Sequence, residues 1–110
     1  MDTFADYIKA VVEEPIEAMV IGKYGGDWPH IYSHNLITIP EEKLGVILSG
    51  DEALSLLVQP YEGGYGSPDC HAVYIWTKTR VYWVTQYDGS TSLDSAPRNP
   101  EPVMPIMPGG

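Results

Sequence analysis

Cys70-His71-Ala72-Val73-Tyr74-Ile75-Trp76-Thr77-Lys78-Thr79-Arg80-Val81-Tyr82-Trp83-Val84-Thr85-Gln86-Tyr87 is the stretch that decides the fold. Two runs, Val73–Trp76 and Val81–Val84, are built from β-branched and aromatic residues, which fit a pleated surface. A loop over Thr77-Lys78-Thr79-Arg80 pairs Trp76 with Val81, Tyr74 with Trp83 and Ala72 with Thr85. Side chains alternate between faces along a strand. One face therefore carries Tyr74, Trp76, Val81 and Trp83. The other carries Val73, Ile75, Tyr82 and Val84, with His71 and Gln86 at its open end. A ribbon that is apolar on both sides needs helices or a second layer on one face and a further cover on the other.

Working outward from the hairpin, Asp88-Gly89 is a turn, and Thr91–Ser95 reads as a third strand. Upstream, Thr3 is a helix N-cap with Asp6 three residues on, close to a capping box. Phe4, Tyr7, Ile8, Val11 and Val12 follow at helical spacing, which predicts a helix over 3–14 stopped by Pro15. Ile16–Ile21 reads as a strand closed by Gly22. Tyr24–Pro29 is a turn-rich loop in which Trp28 is expected to cover the core. Residues 31–39 read as a strand stopped by Pro40, and Val46-Ile47-Leu48 as a short buried segment. Ser49 and Glu52 open a second helix over 51–58, with Pro60 closing it. Pro60–Asp69 carries glycines and prolines that exclude regular structure.

The last fourteen residues, 97–110, hold half of the ten prolines and cannot be helical. They suit an extended polyproline strip. Val103, Met104, Ile106 and Met107 make that strip apolar, so the tail is expected to lie across an apolar face of its own chain or a neighbour's. The organisation expected is one α+β domain over 1–96 plus a proline-rich tail over 97–110. Its small antiparallel sheet is centred on the 71–87 hairpin, with two helices on one face. The exposed hairpin face and the tail together predict a homo-oligomer, most simply a dimer.

Composition narrows the function classes. The 110 residues are 44% hydrophobic, which fits a globular chain rather than a disordered one. The net charge of −9 is uneven: residues 1–69 hold twelve acids against three lysines, while residues 70–110 hold three acids against Lys78, Arg80 and Arg98. Such a chain repels nucleic acid and anionic membranes and attracts basic protein surfaces. A single cysteine excludes an intramolecular disulfide framework. No apolar run reaches bilayer length, and the N-terminus lacks a basic-then-apolar leader. The expectation is a cytoplasmic protein.

The chemistry-bearing residues fall into three sets. The metal-like set is His30, His34, Asp69, Cys70 and His71, the residues that a small metal-dependent hydrolase would use. Cys70 and His71 are adjacent and point to opposite faces of a strand, which works against shared ligation. The second set combines aromatic faces with cations: Tyr65, Trp76, Trp83 and Tyr87 with Lys78, Arg80 and Arg98, flanked by Tyr61, Tyr74 and Tyr82. Stacking plus guanidinium–phosphate contacts would hold a small anionic, nucleotide-like ligand. No phosphate-binding glycine loop, Gly-x-Ser-x-Gly or His-Glu-x-x-His occurs, so no cofactor or catalytic motif is present. The third set is Gly109-Gly110, which resembles the Gly-Gly end of ubiquitin-like modifiers. That resemblance covers two residues, and those modifiers begin with a β-hairpin where this chain begins with a helix. The reading that follows is a small acidic, non-enzymatic binding or inhibitory protein. It has the general character of immunity factors and virus-encoded counter-defence proteins, and it sequesters a small anionic ligand or blocks a basic protein surface.

Overall fold

The computed structural model describes residues 3–25, 39–63, 69–87 and 89–105. Among them the chain forms α1 (Phe4–Val11), β1 (Ala18–Tyr24), a 3-10 turn (Glu41–Lys43), α2 (Gly50–Leu56), β2 (His71–Trp76), β3 (Arg80–Tyr87) and β4 (Ser90–Pro97). The strands make one antiparallel sheet in the order β1-β2-β3-β4. This is the α+β layer arrangement that the sequence predicts, with both helices on one face.

The hairpin has the expected register, with Trp76 opposite Val81 and Tyr74 opposite Trp83. Pairing of β2 with β3 stops at Tyr74 and Trp83, short of the expected Ala72–Thr85 pair. The face with Val73, Ile75 and Tyr82 is buried, and it meets Phe4, Ile8 and Val12 from the first helical region and Ala53 and Leu57 from the second. Met19 and Ile21 extend that face across β1. The opposite face carries Tyr74 at 56% exposure, so alternation along β2 separates core from surface within one residue. Tyr87 is paired with Ser90, and Gly89 before Ser90 takes φ +82°, a conformation open to glycine at little cost.

α1 starts where the sequence places it. Thr3 Oγ1 accepts from the Asp6 amide and Asp6 Oδ2 accepts from the Thr3 amide, a complete capping box. Two further first-turn amides, Phe4 and Ala5, donate to the carbonyls of Gln59 and Leu57, which ties the start of α1 to the end of α2. The helix ends at Val11 and not at Pro15. Val12 leaves the helical conformation (φ −88°, ψ 106°) and is only 6% exposed, so burial of Val12 in an extended linker ends the helix before the proline is reached.

Other boundaries differ for similar tertiary reasons. β1 runs from Ala18 through Gly22 to Tyr24, since Gly22 is accommodated in the irregular pairing between Ile21 and Tyr24. Of Val46, Ile47 and Leu48 only Leu48 is buried, and it forms a bridge to Met19, while Ile47 is 79% exposed. α2 spans Gly50–Leu56 with Ser49 Oγ accepting from the Glu52 amide, and it closes at Leu57 before Pro60. β4 is longer than expected and takes in Pro97, opposite Arg80. The strand expected at 31–39 and the role expected for Trp28 lie outside the described residues, apart from buried Ile39.

Several hydrogen-bonding groups on each sheet edge are engaged by other parts of the chain. On β4 the amides of Thr91, Leu93 and Ser95 donate to Gly63 O, Tyr7 Oη and Asp94 Oδ1. On β1 the Met19 amide donates to Leu48 O, and Ile21 O accepts from the Gly45 amide. Edge groups satisfied in this way do not recruit a further strand. Among the described residues the part of the sheet that carries no helix is its outer face.

Candidate functional site

The outer face is organised by register. Val20, Tyr74, Trp83 and Asp94 lie in one row across the four strands, and Ala18, Trp76, Val81 and Ala96 in the next. The Tyr74 and Trp76 rings sit 6.0 Å apart, tilted by 51°. Beyond the Tyr74–Trp83 pair a groove of about 420 Å³ opens, lined by Val20, Gly22, Ala72, Tyr74 and Trp83, with Gly45 at its rim. No lysine, arginine, aspartate or glutamate lines it. Tyr74, Trp76 and Trp83 thus share the outer face, as the hairpin register places them.

The two arginines of the same set are engaged elsewhere. Arg80 lies on the core-side face of β3 and its Nε donates to Ser95 Oγ at 3.0 Å. Arg98 donates from Nη1 to Thr77 O at 2.8 Å and pairs with Glu17, while its amide donates to Thr79 O. Lys78 is exposed at the hairpin tip. Tyr82 is buried in the core, and Tyr61 is buried with its hydroxyl donating to Thr91 O. Tyr65 and the Tyr87 side chain lie outside the described residues. The arginines fasten the hairpin loop and the root of the tail, so among the described residues the rings have no phosphate-binding partner lining their groove.

The hairpin loop is also clamped from the other side. Thr77 Oγ1 and Thr79 Oγ1 both donate to Glu14 Oε1 at 2.7 Å. These bonds, first Thr77 and then Thr79, hold the Glu14 carboxyl below its ordinary value. A depressed folded-state pKa adds stability that is present above the unfolded value of 4.5 and lost as pH falls through the folded one. Glu14→Gln is therefore expected to lower the melting temperature at neutral pH, by an amount that shrinks as pH falls below the unfolded value of 4.5. A parallel pair of pH–stability curves for the two proteins would remove this role.

The metal-like residues are held separately. Asp69 accepts from the amides of Glu62, at 2.6 Å, and Gly63, at 3.2 Å. Cys70 is buried, and burial followed by the Asp69 charge pushes its thiol up to about 12, which makes it a poor nucleophile. His71 Nδ1 donates to Gly22 O at 2.7 Å, and burial lowers its pKa, which favours the neutral ring. Among the described residues no group of three or more His, Cys, Asp or Glu side chains is placed to hold a metal ion. His30 and His34 are not among the described residues.

The helical layer carries a second groove, which sequence reasoning did not single out. It is about 450 Å³, lined by the α1 cap Thr3 with Ala5, Asp6 and Lys9 of α1, and by Asp51, Leu54 and Ser55 of α2 with Val58 just beyond it. Leu54 and Val58 are half-buried, and Asp6 and Asp51 are exposed first-turn acids of their two helices. Glu13, Glu41, Glu42 and Glu52 are exposed nearby in sequence, with Lys9 and Lys43 the described basic residues in the same segments. Lys43 is already engaged by Glu52 at 2.6 Å. The available signal was that both helices begin with an acid just after a cap. What the sequence hid was their adjacency, since Asp6 and Asp51 come from distant segments.

No helix among the described residues is long and apolar enough to cross a membrane. No protein-family model matches the chain, and no curated protein or solved structure shows significant similarity to it.

Proposed function

We propose that this chain is a non-enzymatic binding protein that blocks a basic surface of another protein through its helical layer. The observation that carries this reading is the partition of charge by the fold. The acidic excess belongs to residues 1–69, which supply both helices, while residues 70–110, which supply three of the four strands, have no net charge. The inter-helix groove is lined by apolar Leu54 and Val58 together with two acids, Asp6 and Asp51, and one base, Lys9. Apolar contact and long-range attraction together suit a basic amphipathic segment of a partner. Inhibition by occupancy needs no catalytic group.

The test is co-purification from the native host lysate followed by measured binding of the recovered partner. Replacing Asp6→Lys and Asp51→Lys together is expected to weaken that binding roughly tenfold or more at low salt, and raised salt is expected to weaken the parent complex. Both residues are exposed, and each variant's fold is checked by its melting curve. Binding that ignores both salt and charge reversal would overturn the proposal. A nucleotide that raises the parent melting temperature, with loss of the effect in Trp83→Ala, would support the anionic-ligand reading in its place.

A further inference from the structure

We infer that the outer aromatic face of the sheet is the seat of the proline-rich tail of a second copy of this chain. The inference goes beyond the proposed function, because it concerns the opposite layer of the molecule.

Four observations converge on it. The first is the periodicity of the tail. Pro102, Pro105 and Pro108 recur every three residues, and so do Val103 with Ile106 and Met104 with Met107. A polyproline II helix has three residues per turn, so each set forms one of its three faces. Aromatic-lined grooves are the usual receptors of such helices, because the helix is already ordered before it docks.

The second is that the described part of the tail is not buried against its own sheet. Residues 98–105 are all exposed, with Val103 at 52% and Met104 at 86%. Arg98 fixes the root of the tail at the hairpin-loop end of the sheet, through Thr77, Thr79 and Glu17. The groove lies beyond the Tyr74–Trp83 pair, toward the other end of β2. The third is chemical match. The groove is lined by apolar and aromatic residues without a formal charge, and between Asn99 and Pro108 the tail carries one charge, Glu101. A basic segment gains little there, whereas a neutral strip with methionine, valine and proline side chains fits it. The fourth is that the engaged edge groups of β1 and β4 leave the face, rather than a strand edge, for association.

The chain bends at Arg98-Asn99 and the Val103 amide donates to Glu101 O, so docking draws this turn out; at about 3.1 Å per residue the extended tail is then long enough to leave one subunit and cross a neighbour's sheet. Reciprocal exchange of tails about a two-fold axis closes the assembly as a dimer. It leaves both acidic helical layers outward, free for the partner proposed above.

The experiment is light scattering with sedimentation equilibrium on the full chain across a micromolar concentration series. It is repeated on a chain truncated after Asn99 and on Val103→Asp with Met104→Asp. Both tail positions are exposed, so the double variant does not disturb the core. Tyr74→Ser alters the receptor face at another exposed position. The expected result is a dimer for the full chain and a monomer with an unchanged circular dichroism spectrum for all three variants. A synthetic peptide of residues 97–110 is expected to bind the truncated chain and to shift its tryptophan emission, because Trp83 lines the groove. A full chain that stays monomeric overturns the inference, and so does a dimer that survives truncation and the double variant. The acidic-layer variants Asp6→Lys and Asp51→Lys are expected to leave the dimer intact, so the two proposals fail separately.

Discussion

In the chain truncated after Asn99, Ile75→Ala is expected to cost about 2–5 kcal/mol, while Tyr74→Ser, one residue away, changes stability little. Ile75 is fully buried near the end of β2, opposite Met19 on one side and Tyr82 on the other, and both of those are buried as well. Truncation to alanine removes three carbons and leaves a space between two sheet neighbours and the helices that their backbones cannot close. A domain of this size has a total stability of about 5–15 kcal/mol, so the loss is a large fraction of the whole. The measurement is the urea midpoint of each variant, with the slope checked for two-state behaviour. Equal losses at the two positions would mean that the faces of the sheet are wrongly assigned.

The second large effect is expected at Gly63. Its φ is +70°, where an L side chain is strained by about 1–3 kcal/mol. A Cβ built there would lie 2.7 Å from Tyr61 Oη and 2.8 Å from Thr91 O, which are themselves joined by a hydrogen bond of 2.8 Å. Gly63 O also accepts from the Thr91 amide and from Ser90 Oγ, both at 3.0 Å. Gly63→Ala therefore strains the backbone and parts the buried Tyr61–Thr91 bond in one step. A loss of about 3 kcal/mol is expected from denaturant unfolding, and Gly45→Ala is the control. Gly45 has φ +72° but open space around its Cβ, so only the backbone part applies there. Equal losses in the two variants would mean that the Tyr61 contact contributes nothing.

What was legible in the sequence was local. The hairpin register and its two faces follow from strict alternation between Val73 and Val84, and the helix starts follow from Thr3 and Ser49. What was not legible depends on partners far along the chain. Val12 ends α1 because the core takes its side chain, and no local signal reports that. Arg98 reads as a phosphate ligand beside the rings, yet it is committed to Glu17, 81 residues away. Arg80 lies in the same stretch as Trp83, but it is three positions away and so on the opposite face. Tyr7 reads as one more residue of an apolar stripe, while in the fold its hydroxyl also accepts the Leu93 amide and caps the sheet edge. The inter-helix groove was missed because its acids are local to two separate helices.

The acidic helical layer as the working surface is tested most directly by amide-resonance mapping of the full chain during titration with a lysine- and leucine-containing amphipathic peptide. The account predicts shifts confined to residues 3–9 and 50–58, weakening as salt is raised and absent in the Asp6→Lys, Asp51→Lys variant. Shifts that instead centre on Ala72–Trp76 and Val81–Val84 would contradict it, and would move the binding surface to the open face of the sheet.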